Sequence, residues 1–182
     1  MSLVITGNPG VGKHTISKII AKKFSYKILD INKIALSSMN LRKKSSTIDI
    51  DIKKLKNNIK KLVTKKSLVV GHLAPYVLTK SQAKAVIVLR KSPYSLVSVY
   101  KKRKYTHQKM IENLDAEILG VIAYDSIKKF GKNKVYQIDT TKSIPNTVKK
   151  IKAIFKDSFK EDKVDWLTLV TKKNDLKKFF SY

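Results

Sequence analysis

Nine residues, GNPGVGKHT from Gly7 to Thr15, carry the groups needed to grip phosphate. Gly7, Gly10 and Gly12 allow a tight turn in which successive backbone N–H groups converge on one concavity, and Lys13 adds a point charge. The strict pattern places a hydroxyl directly after the lysine, but here His14 follows and Thr15 comes one residue late. The N–H of His14 can still face a phosphate whatever its side chain does. A direct hydroxyl ligand to a metal at position 14 is lost, which leaves Thr15 to contact phosphate or metal, or a metal that keeps more of its water shell.

A loop of this kind works only if a strand delivers it and a helix leaves from it, so that the helix dipole adds positive potential at the same spot. The apolar LVIT precedes it and ISKIIAKKF follows it. Five β-rich runs recur along the chain, at 3–6, 26–31, 67–71, 85–90 and 134–139, with continuous rather than alternating apolar residues, as in parallel strands covered on both faces. Between them lie helix-period segments at 15–24, 51–63, 92–104, 106–130 and 143–159. In the second, Ile52, Leu55, Ile59, Leu62 and Val63 form one stripe with lysines opposite. Ser92 followed by Pro93 reads as a helix start. This alternation predicts an α/β layer fold with a mostly parallel sheet, as a single domain over residues 1–182. Residues 39–50 and 101–109 resist assignment to the core and are candidate moving flaps or ordinary surface connections. The segment from about 160 to 182 holds the only tryptophan and reads either as a last helix packing Trp166, Leu167 and Leu169 onto the body or as a docking segment.

Composition narrows the setting. The 182 residues include 40 Lys+Arg against 13 Asp+Glu, a net charge of +27, and no cysteine. Disulfide frameworks and thiolate metal sites are excluded. No apolar run approaches a membrane span, so a soluble cytoplasmic protein without membrane association is expected. The charge reads either as a lysine-rich solvated surface or as the footprint of a polyanionic partner, with RNA favoured over lipid. Only Arg42, Arg90 and Arg103 are arginines. In a chain that prefers lysine, these three are expected where a planar, two-pronged donor is required.

The loop GNPGVGKHT resembles that of adenylate kinases, G-x-P-G-x-G-K-x-T. With VVGHLAPYVL (69–78), VIVLR (86–90), RKYTHQKMIENLDAEIL (103–119) and YQIDTT (136–141), the chain is similar over about residues 1–155 to an atypical archaeal and nuclear branch of nucleoside monophosphate (NMP) kinases linked to small ribosomal subunit maturation. The resemblance implies a P-loop, NMP-kinase-like fold with a five-stranded parallel sheet, an NMP-binding arm at about 30–53 and a short lid at about 102–112. By the same resemblance Gly10, Gly12, Lys13, His14 and Thr15 would hold the phosphates of ATP with Mg²⁺, Thr15 being the metal-side candidate. Arg103 would be the lid arginine, and Asp139 to Thr141 would border the ATP base. Arg42, in the NMP-binding arm, would clamp the acceptor phosphate; Arg90, placed by its own position at the C-terminal end of the fourth strand, the edge that faces the ligand crevice, is the other expected substrate-side arginine. His72 matches a histidine used near the reacting phosphates, although a loop histidine satisfied by backbone is the plain alternative. Lys13, His72 and Arg103 are thus the expected catalytic set.

This sequence departs from the branch at His14, at Val70 where a carboxylate is usual, at Lys104 where glycine is usual, and at Val99 where an arginine is usual. Asp30, Asp51 or Asp139 are candidates to replace the carboxylate. Two functions follow: an ATP-dependent kinase acting on AMP or another NMP, with ATPase activity, or an ATP-switched ribosome-assembly factor with weak or no kinase activity. The implied partners of the second are a small-subunit platform ribosomal protein and rRNA.

Overall fold

The computed structural model describes residues 1–38, 51–156 and 158–180. Arg42 and most of the expected NMP arm lie outside the described residues. Five strands form one parallel sheet: β1 (Ser2–Thr6), β2 (Lys27–Asp30), β3 (Ser67–Val70), β4 (Ala83–Arg90) and β5 (Val135–Asp139), in the spatial order β2-β3-β1-β4-β5. All five match the apolar runs of the sequence to within two residues. The first strand is therefore central, and the loop after it emerges at the carboxyl edge of the sheet. The order reverses there, and a crevice opens between neighbouring connections.

Strand alternation splits the core in two. Leu3, Ile5, Leu68, Val70, Ile87 and Leu89 face one apolar layer, while Val4, Val69, Val86 and Val88 face the other. A register shift between Ser2 and Leu3 skips Lys84 and turns Ala83 and Ala85 to opposite faces. Burial on both sides explains why these strands read as unbroken apolar runs.

Helices cover each face. The first layer takes α1 (Lys13–Phe24), α5 (Pro93–Lys102), α6 (His107–Ile118) and α8 (Ile144–Phe155), together with α9 (Trp166–Lys172) and α10 (Leu176–Phe179). The second takes α2 (Ile31–Ser38), α3 (Ile52–Leu62), α4 (Ala74–Val77) and α7 (Val121–Phe130). In α3 the stripe narrows to Leu55 and Ile59 as buried residues, and Asp51 caps its start by accepting the Lys54 N–H at 3.0 Å. Pro93 begins α5 as expected, but the Ser92 hydroxyl makes no capping bond.

Two expectations are corrected. The segment 106–130 is not one helix: Gly120, at φ 69, ends α6 and starts α7, because a left-handed residue cannot continue a right-handed helix. In the tail, Leu167 is exposed and Leu169 only half-buried, whereas Trp166 and fully buried Val170 face the body. These last two sit four residues apart on one helical face, and Asp165 sets the phase by capping α9 through the Thr168 N–H at 3.0 Å. Among the described residues no helix is long and apolar enough to cross a membrane.

Candidate active site

The loop between β1 and α1 runs through Gly10 at φ 90 and Gly12 at φ 94, the latter being the N-cap of α1. A Cβ at Gly10 would stand 2.9 Å from Leu96 Cδ2 and 3.0 Å from Tyr100 Cε1, so glycine lets the loop lie against α5. A Cβ at Gly12 would meet nothing within 4 Å; there it is the backbone angle, not crowding, that selects glycine. Among the described residues no hydrogen bond uses the N–H of Gly10, Val11, Gly12, Lys13, His14 or Thr15. Six consecutive donors at the positive end of a twelve-residue helix form an anion-binding nest.

Lys13 is buried, and its ammonium donates to the carbonyl oxygens of Gly7 and Asn8, each at 2.8 Å. Burial first, and then the charge of Arg103, hold this amine down to about 8 against the upward pull of Glu117 and Asp30. It carries its charge at neutral pH against a desolvation cost that a polyphosphate would relieve. His72, in the turn after β3, is pushed down to about 4 by burial and then by the Lys13 charge. It is therefore neutral at pH 7 and sits within the electrostatic reach of Lys13. Arg103, at the end of α5, is exposed, and its charge also reaches Lys13. The structure thus brings Lys13, His72 and Arg103 into one electrostatic neighbourhood. The side chains of His14 and Thr15 are exposed on the first turn of α1. His14 Nδ1 lies 3.3 Å from Asp30 Oδ2, an ion pair when the imidazole is protonated. A cleft of 610 Å³ opens beside them, lined by His14, Ser17, Lys18, Asp30, Lys33 and Ile34 among others.

Lys104, where the resemblance leads one to expect glycine, adopts φ 55, the left-handed region that favours glycine. Tyr105 follows and stacks on Tyr100, with ring centroids 5.3 Å apart and planes at 11°.

Arg90 ends β4, as expected, with its guanidinium bound to the protein's own groups. It is 4% exposed; Nε donates to Glu117 Oε1 at 2.8 Å, one terminal nitrogen to Gln137 Oε1 at 2.7 Å and the other to the Glu117 carbonyl at 2.6 Å. Its two-pronged donor is used, as arginine scarcity implied, but on the protein's own interior. Glu117 is the group that sequence reading missed. Fully buried, its carboxylate also accepts from Asn8 Nδ2 at 2.7 Å, the Lys91 N–H at 3.0 Å and Trp166 Nε1 at 3.1 Å. Thr140, of the stretch expected to border the base, places its hydroxyl 3.0 Å from the Val11 carbonyl and 2.9 Å from that of Arg90.

Residues 3–120 match a family model described as AAA domain, a nucleotide-binding P-loop module. The chain is 31% identical over 170 residues to a protein of Thermococcus onnurineus named "Putative adenylate kinase", covering 91% of each. It is 35% identical to the protein of that name from Methanocaldococcus jannaschii, over 91% of this chain and 93% of the relative. The chain belongs to the adenylate kinase family of P-loop proteins. Structural likeness agrees at the level of fold. Shikimate kinase from Acinetobacter baumannii superposes with a TM-score of 0.60 at 16% identity, covering 86% of this chain and 93% of that one. Deoxyadenosine kinase from M. mycoides gives 0.51 at 17% identity, covering 86% and 100%. Membership in this family places the chain among nucleotide-binding P-loop kinases.

Proposed function

We propose that this adenylate kinase family member transfers the γ-phosphate of ATP to a nucleoside monophosphate, with AMP as the leading acceptor. The observation that carries the proposal is Lys13: a buried ammonium, spent only on two loop carbonyls, at the mouth of a nest of six backbone donors. The nest binds the β-phosphate and its neighbours, and Lys13 turns from the Gly7 and Asn8 carbonyls toward the terminal phosphate. Arg103 approaches from the end of α5 and disperses charge on the transferring group. Neutral His72 puts no second positive charge beside Lys13. The acceptor takes the side of the 610 Å³ cleft lined by Asp30 and Lys33, while Arg42, the residue expected for its phosphate, lies outside the described residues. An acceptor phosphate oxygen bonds to the γ-phosphorus as the bond to the β–γ bridging oxygen breaks, giving ADP and a nucleoside diphosphate. No side-chain nucleophile is needed, since positioning and charge dispersal suffice.

Among the described residues no group of three or more His, Asp or Glu is arranged to hold a metal. That donor set fits an ion held chiefly by nucleotide phosphates, with the Thr15 hydroxyl and the Asp30 carboxylate as the protein groups at hand. Mg²⁺ bound there would supply neutralisation of phosphate charge. Incubating the protein with Mg-ATP and each of AMP, CMP, GMP and UMP, and following products by phosphorus NMR, tests the reading. Diphosphate formation from an added monophosphate supports it, and hydrolysis to inorganic phosphate alone counts against it.

The net charge of +27 supports a second role, ATP-dependent attachment to a polyanion such as pre-ribosomal RNA. Lys53, Lys54, Lys56, Lys60 and Lys61 are exposed on the outer side of α3. RNA affinity measured against salt should fall steeply; a flat response would reject backbone-phosphate binding.

A further inference from the structure

The C-terminal segment grips the phosphate-binding loop from two directions. One route runs from Trp166 Nε1 to Glu117 Oε1 at 3.1 Å, and from Glu117 Oε2 to Asn8 Nδ2 at 2.7 Å. Asn8 in turn offers the carbonyl that holds Lys13 at 2.8 Å. The carboxylate is asymmetric in its duties. Oε1 takes Arg90, Lys91 and Trp166, which fix the plane of the group, while Oε2 is given to the loop. A second route starts at Asp162, anchored by Lys150 at 2.7 Å, which accepts the Asp139 N–H at 2.8 Å; the adjoining Thr140 hydroxyl meets the Val11 carbonyl at 3.0 Å.

The segment is itself pinned beyond these contacts. Val170 and Phe179 are fully buried, Phe179 meets the Tyr94 ring edge-on at 5.1 Å, and the Tyr94 hydroxyl donates to Asp175 at 2.7 Å. Yet most of its other side chains are exposed or half-buried, so it is held by few anchors. A segment of this kind opens at lower cost than the sheet it lies on.

We propose that the C-terminal segment is a strap that positions the phosphate-binding loop, with Trp166 and Glu117 acting as positioning residues through Asn8. The proposal rests on the nucleotide-site reading and adds a control element to it. With the strap docked, the Glu117 carboxylate holds Asn8 and presents the loop in its binding shape; with Trp166 detached, one of the donors that orient the carboxylate is gone. Binding nucleotide, which draws Lys13 off the Asn8 carbonyl, is felt in return at Trp166, because coupling between two sites is reciprocal.

Trp166 is the only tryptophan, so its emission reports this link without labelling. Full-length protein is titrated with Mg-ADP, following fluorescence and calorimetry together. In the wild type the emission should change and saturate at the calorimetric midpoint. In Asn8→Ala, titrated to saturation by calorimetry, the emission change should vanish, which separates transmission through Asn8 from direct quenching by the base. Trp166→Phe, which keeps an aromatic ring but loses the N–H, should bind Mg-ADP about 3- to 10-fold more weakly, a part of what one hydrogen bond to a charged group contributes being passed on to the loop. A merely structural tryptophan would lower Tm and leave affinity alone. Calorimetric binding with silent Trp166 emission and unchanged affinity in Trp166→Phe would overturn the strap proposal alone. No calorimetric binding to the wild type would overturn the nucleotide-site reading and the strap with it.

Discussion

The ammonium of Lys13 is folded back on the carbonyl oxygen of Gly7 at 2.8 Å, so the loop satisfies its own lysine. Binding must exchange that bond for one to phosphate. Lys13→Met should leave the fold intact and reduce nucleotide-dependent turnover by at least about 100-fold, measured as ADP formation, since it removes charge stabilisation where charge develops. Because burial holds Lys13 at about 8, the unfolded chain keeps this proton to higher pH than the folded chain. Stability therefore rises as pH increases above 8. Between about pH 8 and 10 wild type should gain about 2 kcal/mol relative to Lys13→Met in denaturant titrations. Tyr76 and Tyr94, both pushed up to about 12, act in the opposite sense only at higher pH.

His72 works at the acid end. Its folded value of about 4 lies below the ordinary 6.5, so the unfolded chain takes up the proton first as pH falls. The sign is a loss of stability through that window, amounting to at most about 3 kcal/mol. His72→Asn should flatten the acid limb of the stability profile. Bound Mg-ATP should raise the imidazole titration, followed by proton NMR, because phosphate charge offsets that of Lys13.

Arg90 and Glu117 are 5% and 0% exposed, with Nε and Oε1 2.8 Å apart, so removing one partner strands the other. Arg90→Met should destabilise the protein by about 3 to 5 kcal/mol in denaturant unfolding. If Arg90 instead served mainly the acceptor phosphate, the same variant would keep its stability and lose affinity for the monophosphate.

Much of the sheet was legible because its signals are local: five apolar runs, a glycine-rich turn and a lysine within a few residues. What the sequence concealed is held together over long separations. Glu117 is an acidic residue in a helix, which ordinarily reads as solvated surface; its partners Asn8, Arg90 and Trp166 stand 109, 27 and 49 positions away. Arg90 was recognised as needing a planar partner, yet only tertiary packing supplies Glu117. The break at Gly120 and the Trp166–Val170 face had local signals: a glycine in a helical pattern, and i,i+4 spacing after Asp165.

Lys104 holds φ 55 with a side chain, a conformation that costs an L-residue about 1 to 2 kcal/mol. Lys104→Gly should relieve part of this, raising stability by less than about 1 kcal/mol after the greater freedom of glycine in the unfolded chain is counted. Thermal unfolding checks the sign. A fall in Tm would mean that the lysine side chain contributes more than its backbone angle costs.

The decisive experiment is the initial rate of ADP formation from Mg-ATP with and without AMP. A monophosphate kinase should show a saturable rise of about tenfold or more on adding AMP, with two ADP formed per ATP consumed. A rate indifferent to AMP, with phosphate as the second product, would contradict the assignment.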